Sequence, residues 1–210
     1  MMRWRAIRLT GFAALAALAC IHPAASADNA RPAADSRPTD IKITESSFRC
    51  IREMKRVRGF FIDNLLGNVE ATEQAANSTD GAAYPPGSLV QVIPTSAMIK
   101  HQRGYNPETN DWEFFEMDVT AKGVTFLGRG FAELNMRNGL NCLGCHKPAK
   151  ATRDLICDRA RECTPIPLTP AMLRALQNTD PRCAKIPLPQ EQLEALAALA
   201  ARDTPAVPAK

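Results

Sequence analysis

The sequence predicts an α+β fold: an antiparallel β-meander packed with an N-terminal helix and short C-terminal helices. Three observations predict it. Apolar residues recur at helical spacing between positions 48 and 65. After Tyr84-Pro85-Pro86-Gly87 the apolar period changes to two. Beyond position 147, seven prolines from Pro148 to Pro189 leave room only for short helices.

The first element is a leader. Arg3, Arg5 and Arg8 precede the apolar stretch Leu9 to Ile21, and Ala25-Ser26-Ala27 is a small-x-small cleavage site. That layout predicts a signal peptide over 1–27 and an exported, periplasmic chain. The apolar stretch is shorter than the about 20 residues of a membrane span. Lipid anchoring at Cys20 is the alternative, with Ala17 standing where such signals usually carry Leu. Removing 27 of 210 residues leaves 183, enough for one domain with a core. The leader holds three arginines and no acid, so the net charge falls from +4 to about +1. This near-neutral balance gives no electrostatic case for nucleic acid.

Residues 28–45, rich in Ala, Pro, Asp and Ser, read as a flexible lead-in. Ser46 or Ser47 then caps a predicted helix to about Leu66. Phe48, Ile51, Met54, Val57, Phe61 and Leu65 form its core stripe, and Gly67 stops it. Arg49, Arg52, Lys55, Arg56 and Arg58 read as its solvated side, with a redox-partner surface as the sharper reading. Residues 70–81 read as a polar loop. Strands are predicted over 88–93, 97–102, 111–119 and 124–127, and helices over 171–177 and 190–202.

Cys142-Leu143-Gly144-Cys145-His146 carries the chemistry. Cys-x-x-Cys-His in an exported chain reads as covalent c-type haem attachment. Two thiols three positions apart add to the two vinyl groups of one haem, and the adjacent His146 binds the iron. A zinc site needs about four ligands, and no second Cys or His pair stands close by. A thioredoxin-like pair should follow a βαβ pattern, which this region lacks. The cofactor is therefore one haem c with iron, and the haem-binding domain spans 46–164. Residues 165–210 form a Pro-rich, partly helical appendage. Outside the leader and the motif, Cys50, Cys157, Cys163 and Cys183 remain, an even number in an oxidising compartment. Proximity in sequence favours Cys157 with Cys163, leaving Cys50 with Cys183.

The sixth iron position decides what a c-type haem does. His101, Met98, Met117 and Met136 are the candidate ligands, with a solvent-facing role the default for His101. Glu133 is a candidate distal proton carrier and Arg129 a candidate propionate partner. A structural haem in a partner-binding module is a further class.

The motif follows Tyr84-Pro85-Pro86-Gly87-Ser88-Leu89-Val90, Met98-Ile99-Lys100 and Asn110-Asp111-Trp112-Glu113-Phe114, and precedes Asp154-Leu155-Ile156. In this order the pieces resemble the cytochrome P-460 and cytochrome c′-beta family. The resemblance covers about 87–157, a third of the chain. It implies an antiparallel sheet packed on helices and a five-coordinate haem held by His146. P-460 members oxidise hydroxylamine and carry a lysine cross-linked to haem on the strand after the Gly turn. Here that strand is Ser88 to Ile93, with Gln91 or Val92 at the expected place, and Lys100 falls on the next strand. The c′-beta branch binds nitric oxide behind distal phenylalanines, for which Phe60, Phe61, Phe114, Phe115, Phe126 and Phe131 are candidates. The expected partners are a small gaseous or nitrogenous ligand, a redox protein and, as an option, a second copy in a homodimer.

Overall fold

The computed structural model describes residues 41–157, 163 and 166–203. The expected signal peptide over 1–27 and most of the expected lead-in lie outside the described residues. The fold is α+β, built on a six-stranded antiparallel sheet. The strands are β1 (Lys55–Val57), β2 (Phe60–Asn64), β3 (Ser88–Gln91), β4 (Ser96–Lys100), β5 (Trp112–Thr120) and β6 (Gly123–Gly130), in sequential order across the sheet. The helices are α1 (Val69–Asn77), α2 (Cys142–His146), α3 (Pro170–Asn178) and α4 (Gln190–Asp203).

The predicted N-terminal helix is not there. Residues 46–66 fold as two short 3₁₀ turns followed by the β1–β2 hairpin. Two facts explain the difference. Arg58-Gly59 is a two-residue hairpin loop, with Arg58 at φ 51° and Val57 paired with Phe60. Phe60, Phe61 and Ile62 are buried on both faces of the sheet. A run buried on both sides loses the alternation that marks a strand, and its apolar positions then match a helical template as well. The basic residues consequently lie on no common helix face. Arg49 pairs with Asp63 at 2.6 Å, Lys55 with Glu73, and Arg58 donates to the Ala76 carbonyl at 2.7 Å.

Two further expectations are corrected. The lead-in assigned to 28–45 is packed at its far end, because Ile41 and Ile43 are core residues. The polar loop over 70–81 contains α1, whose Val-Glu-Ala-Thr-Glu-Gln-Ala-Ala-Asn sequence is dominated by good helix formers. Its sequence lacks a large apolar stripe because it buries only small groups, Thr72, Ala75 and Ala76. Those let it lie close to the sheet, where the Thr72 and Ser88 hydroxyls meet at 2.8 Å.

From Tyr84 onward the strands fall where the period-two pattern places them. Their alternation builds two cores. Phe61, Leu89, Ala97, Ile99, Phe115 and Met117 face the segment 41–54. Ile62, Val90, Met98, Trp112 and Phe114 face α1, Leu143 and Ile156. The second face receives the motif because β6 carries glycines there. A Cβ at Gly130 would meet the Glu133 carboxylate at 2.6 Å, and one at Gly128 would meet Leu134 at 3.0 Å. The segment 131–141 therefore folds close against the strand.

The C-terminal helices form as expected, with the Thr169 hydroxyl and Pro170 starting α3. The tail is fastened to the sheet. Gln177 donates to the carbonyls of Gly59 at 2.9 Å and Val92 at 2.8 Å. Asp180 accepts from the Ile51 amide at 2.9 Å and from Arg182 at 2.7 Å. Cys50 is bonded to Cys183, and Cys157 to Cys163, the two expected pairings. The first closes a sequence separation of 133 residues. A loop of that length restricts the unfolded chain by about 4–5 kcal/mol. Replacing Cys50 and Cys183 together by serine should lower the urea midpoint accordingly, and an unchanged midpoint would show that the tail is held without the bridge.

Two buried carboxylates tie stability to acid. Burial alone would raise Asp180, but the Arg182 guanidinium and the Ile51 and Arg182 amides outweigh it and hold the carboxyl below its usual range. Glu113 behaves likewise, with burial opposed by His101 and Arg129. Both depressed groups give their full stabilisation above the ordinary carboxylate range near pH 4. That stabilisation is lost as pH falls through the lower folded values. Unfolding free energies measured by urea between pH 6 and pH 2.5 should show a steep acid limb, shallower in Asp180→Asn and Glu113→Gln.

Candidate functional site

The motif begins with a cap. The Asn141 side-chain carbonyl accepts from the Gly144 amide at 2.7 Å, which starts α2. Its amide donates to the Ala132 carbonyl at 2.9 Å and the Leu134 carbonyl at 3.2 Å. Asn141 thus fixes the short helix to the preceding turn. Gly144 suits this cap, since a Cβ there would sit 3.2 Å from the Asn141 oxygen. Asn141 is visible in the sequence only as an Asn one residue before a helix, a common cap signal.

On this turn Leu143 points into the core and both cysteines are half-buried free thiols. Burial, then Glu116 and Cys145, push the Cys142 thiol up to about 11, so it is neutral at neutral pH. His146 packs against Phe114 with ring centroids 5.5 Å apart. Its Nδ1 lies 2.9 Å from the Leu155 carbonyl oxygen and 3.7 Å from the Cys157 sulfur. A carbonyl only accepts, so Nδ1 carries the proton and donates, and the lone pair belongs to Nε2. Burial lowers the pKa of His146, which keeps the ring neutral.

The Leu155 carbonyl is held by an uncommon backbone. Asp154 and Leu155 are consecutive non-glycine residues at φ 52° and 64°. Asp154 is buried and bonded on every side. Its carboxylate receives Lys100 Nζ at 2.7 Å on both oxygens and the Tyr84 amide at 2.8 Å. Its carbonyl accepts from Trp112 Nε1 at 2.7 Å. Lys100 Nζ also donates to the Asn110 carbonyl at 2.5 Å and lies 5.1 Å over the Trp112 ring.

These residues fit a c-type haem. Cys142 and Cys145 would carry the thioether bonds and His146 Nε2 would face the iron, with Nδ1 held by a carbonyl as metal-bound histidines usually are. Among the described residues no three or more His, Cys, Asp or Glu converge as a ligand cage for a single metal ion.

The candidates for the sixth position separate by face. His101 is not solvent-facing: it is 1% exposed. Its Nε2 lies 2.8 Å from Glu113, which also takes Arg129 at 2.6 Å. Nothing local to a histidine just past a strand end signals this burial, because its partners come from β5 and β6. Glu113 and Arg129 stand on the face of Phe115, away from His146, and Met117 shares that face. Met98 lies on the face of His146, and Met136 in the turn before the motif. Arg129 is engaged by Glu113 and the Ile43 carbonyl. Glu133 is exposed and accepts from the Phe131 amide. Of the six candidate phenylalanines, Phe60 and Phe114 stand on the motif's face, while Phe61, Phe115 and Phe126 pack on the other and Phe131 lies beside His101 and Tyr105. No helix among the described residues is long and apolar enough to cross a membrane.

Comparison with protein-family models, with curated proteins and with solved structures finds no match to this chain.

Proposed function

We propose that the chain is an exported, periplasmic mono-haem c-type cytochrome that binds a small ligand such as nitric oxide at its iron. The observation that carries this reading is the Nδ1–H bond of His146 to the Leu155 carbonyl, which presents the Nε2 lone pair beside two free thiols. Once attached, haem supplies an iron that takes a small ligand or an electron.

The rest is the work of the chain. Asn141 sets the helical turn that spaces Cys142 and Cys145. Phe114 and the Leu155 carbonyl fix the plane of the imidazole. An open sixth position is favoured because His101 and Met117 face away from the motif. The resemblance to the c′-beta branch points the same way. Lys100 Nζ is committed to Asp154, which favours this branch over a lysine cross-link and hydroxylamine oxidation. A six-coordinate electron carrier, with Met98 or Met136 as ligand, is the competing reading.

The absorption spectrum of the reduced protein, made with haem-maturation machinery, distinguishes them. A broad high-spin ferrous spectrum that shifts on adding nitric oxide is expected. A sharp low-spin spectrum indifferent to nitric oxide would make it an electron carrier. Turnover of hydroxylamine with an electron acceptor would make it an oxidoreductase.

A further inference from the structure

The turn behind His146 is built at unusual cost. Two side-chain-bearing residues in succession, one of them leucine, hold left-handed backbone that glycine normally supplies. Such an outlier persists only where its surroundings over-determine it. Here three anchors from three distant segments do so: the Lys100 ammonium, itself steadied by the Asn110 carbonyl, the Tyr84 amide and the Trp112 indole. All three converge on Asp154, whose hydrogen bonds go to Lys100, Tyr84 and Trp112 and not to the motif's thiols or imidazole. The product of the turn is the position of one atom, the carbonyl oxygen of Leu155, 2.9 Å from His146 Nδ1.

We propose that Lys100 and Asp154 are positioning residues for the iron ligand. The buried pair locks the turn at 154–155, so that the Leu155 carbonyl fixes the tautomer and aim of the imidazole and strengthens Nε2 as a donor. The inference rests on His146 being the haem ligand. A bond from Nδ1–H to a carbonyl shifts electron density toward Nε2 and so favours ferric over ferrous iron. Loosening the turn should therefore raise the reduction potential.

The test uses the haem-loaded full chain. Lys100→Met, Asp154→Asn and the double variant are compared with wild type by spectroelectrochemical titration and by the iron–histidine stretch in resonance Raman spectra. The double variant leaves neither charge unpaired, so it is expected to fold should either single variant fail. Glu113→Gln is the control. It breaks a buried ion pair on the opposite face and moves stability alone. The expected result is a raised potential and a lowered stretching frequency in the Lys100 and Asp154 variants, both at the wild-type value in Glu113→Gln. Values unmoved in the double variant, or moved as much in Glu113→Gln, would show the pair to be structural only and overturn the proposal. Wild-type protein without covalent haem would overturn the haem reading itself, and this inference with it.

Discussion

Replacing Cys142 and Cys145 together by serine should abolish covalent haem while leaving the fold intact. After denaturation and electrophoresis the double variant should show no haem staining, and each single variant a reduced level with one thioether. The size of the effect follows from chemistry, because a hydroxyl does not form the thioether that a thiol forms. The survival of the fold follows from position. Both sulfurs are half-buried, neither belongs to a disulfide, and the turn they stand on is held by Asn141 and Leu143. Far-UV circular dichroism should therefore match the wild-type chain prepared without haem. Haem that remains bound through denaturation in the double serine variant would contradict the assignment of the thiols.

The second large effect is expected at Lys100. Methionine there keeps much of the side-chain volume and removes the charge. Asp154 would be left 6% exposed, with the Tyr84 amide as its partner and no counter-ion. Breaking one side of a buried ion pair costs about 3–5 kcal/mol, because the remaining charge is no longer compensated. Lys100→Met/Asp154→Asn removes both charges and should recover much of that loss, giving a strongly non-additive cycle. The measurement is urea unfolding of the three variants at neutral pH. Additive losses would show that the two residues act separately and that Asp154 is held by Tyr84 and Trp112 alone.

Legibility in the sequence tracked how local each feature is. The strands from Ser88 to Gly130 are readable because Pro, Gly and Asn in the intervening turns set their limits, although Ser88–Gln91 and Trp112–Phe115 are buried on both faces. The disulfides followed from the count of cysteines and one short spacing. The β1–β2 hairpin was misread because Phe60, Phe61 and Ile62 face two cores at once, and the helix α1 because alanines do its packing. At the site, the proposed chemistry rests on five contiguous residues, Cys142 to His146. The support around them was not readable for two reasons. Lys100 and Asp154 lie 54 residues apart and meet only in the folded sheet. Leu155 contributes a backbone carbonyl, which every residue type has, so no side chain signals it. His101 shows the same limit from the other side: its buried ion-pair network depends on partners 12 and more residues away.

The most direct test of the haem assignment is mass spectrometry of the mature protein, expressed with haem-maturation machinery, denatured and cut on either side of residues 142–146. A peptide heavier by one haem, with both sulfurs blocked to alkylation, is expected. A peptide of unmodified mass, with Cys142 and Cys145 as free thiols or bonded to each other, would contradict it and return the pair to redox or metal chemistry.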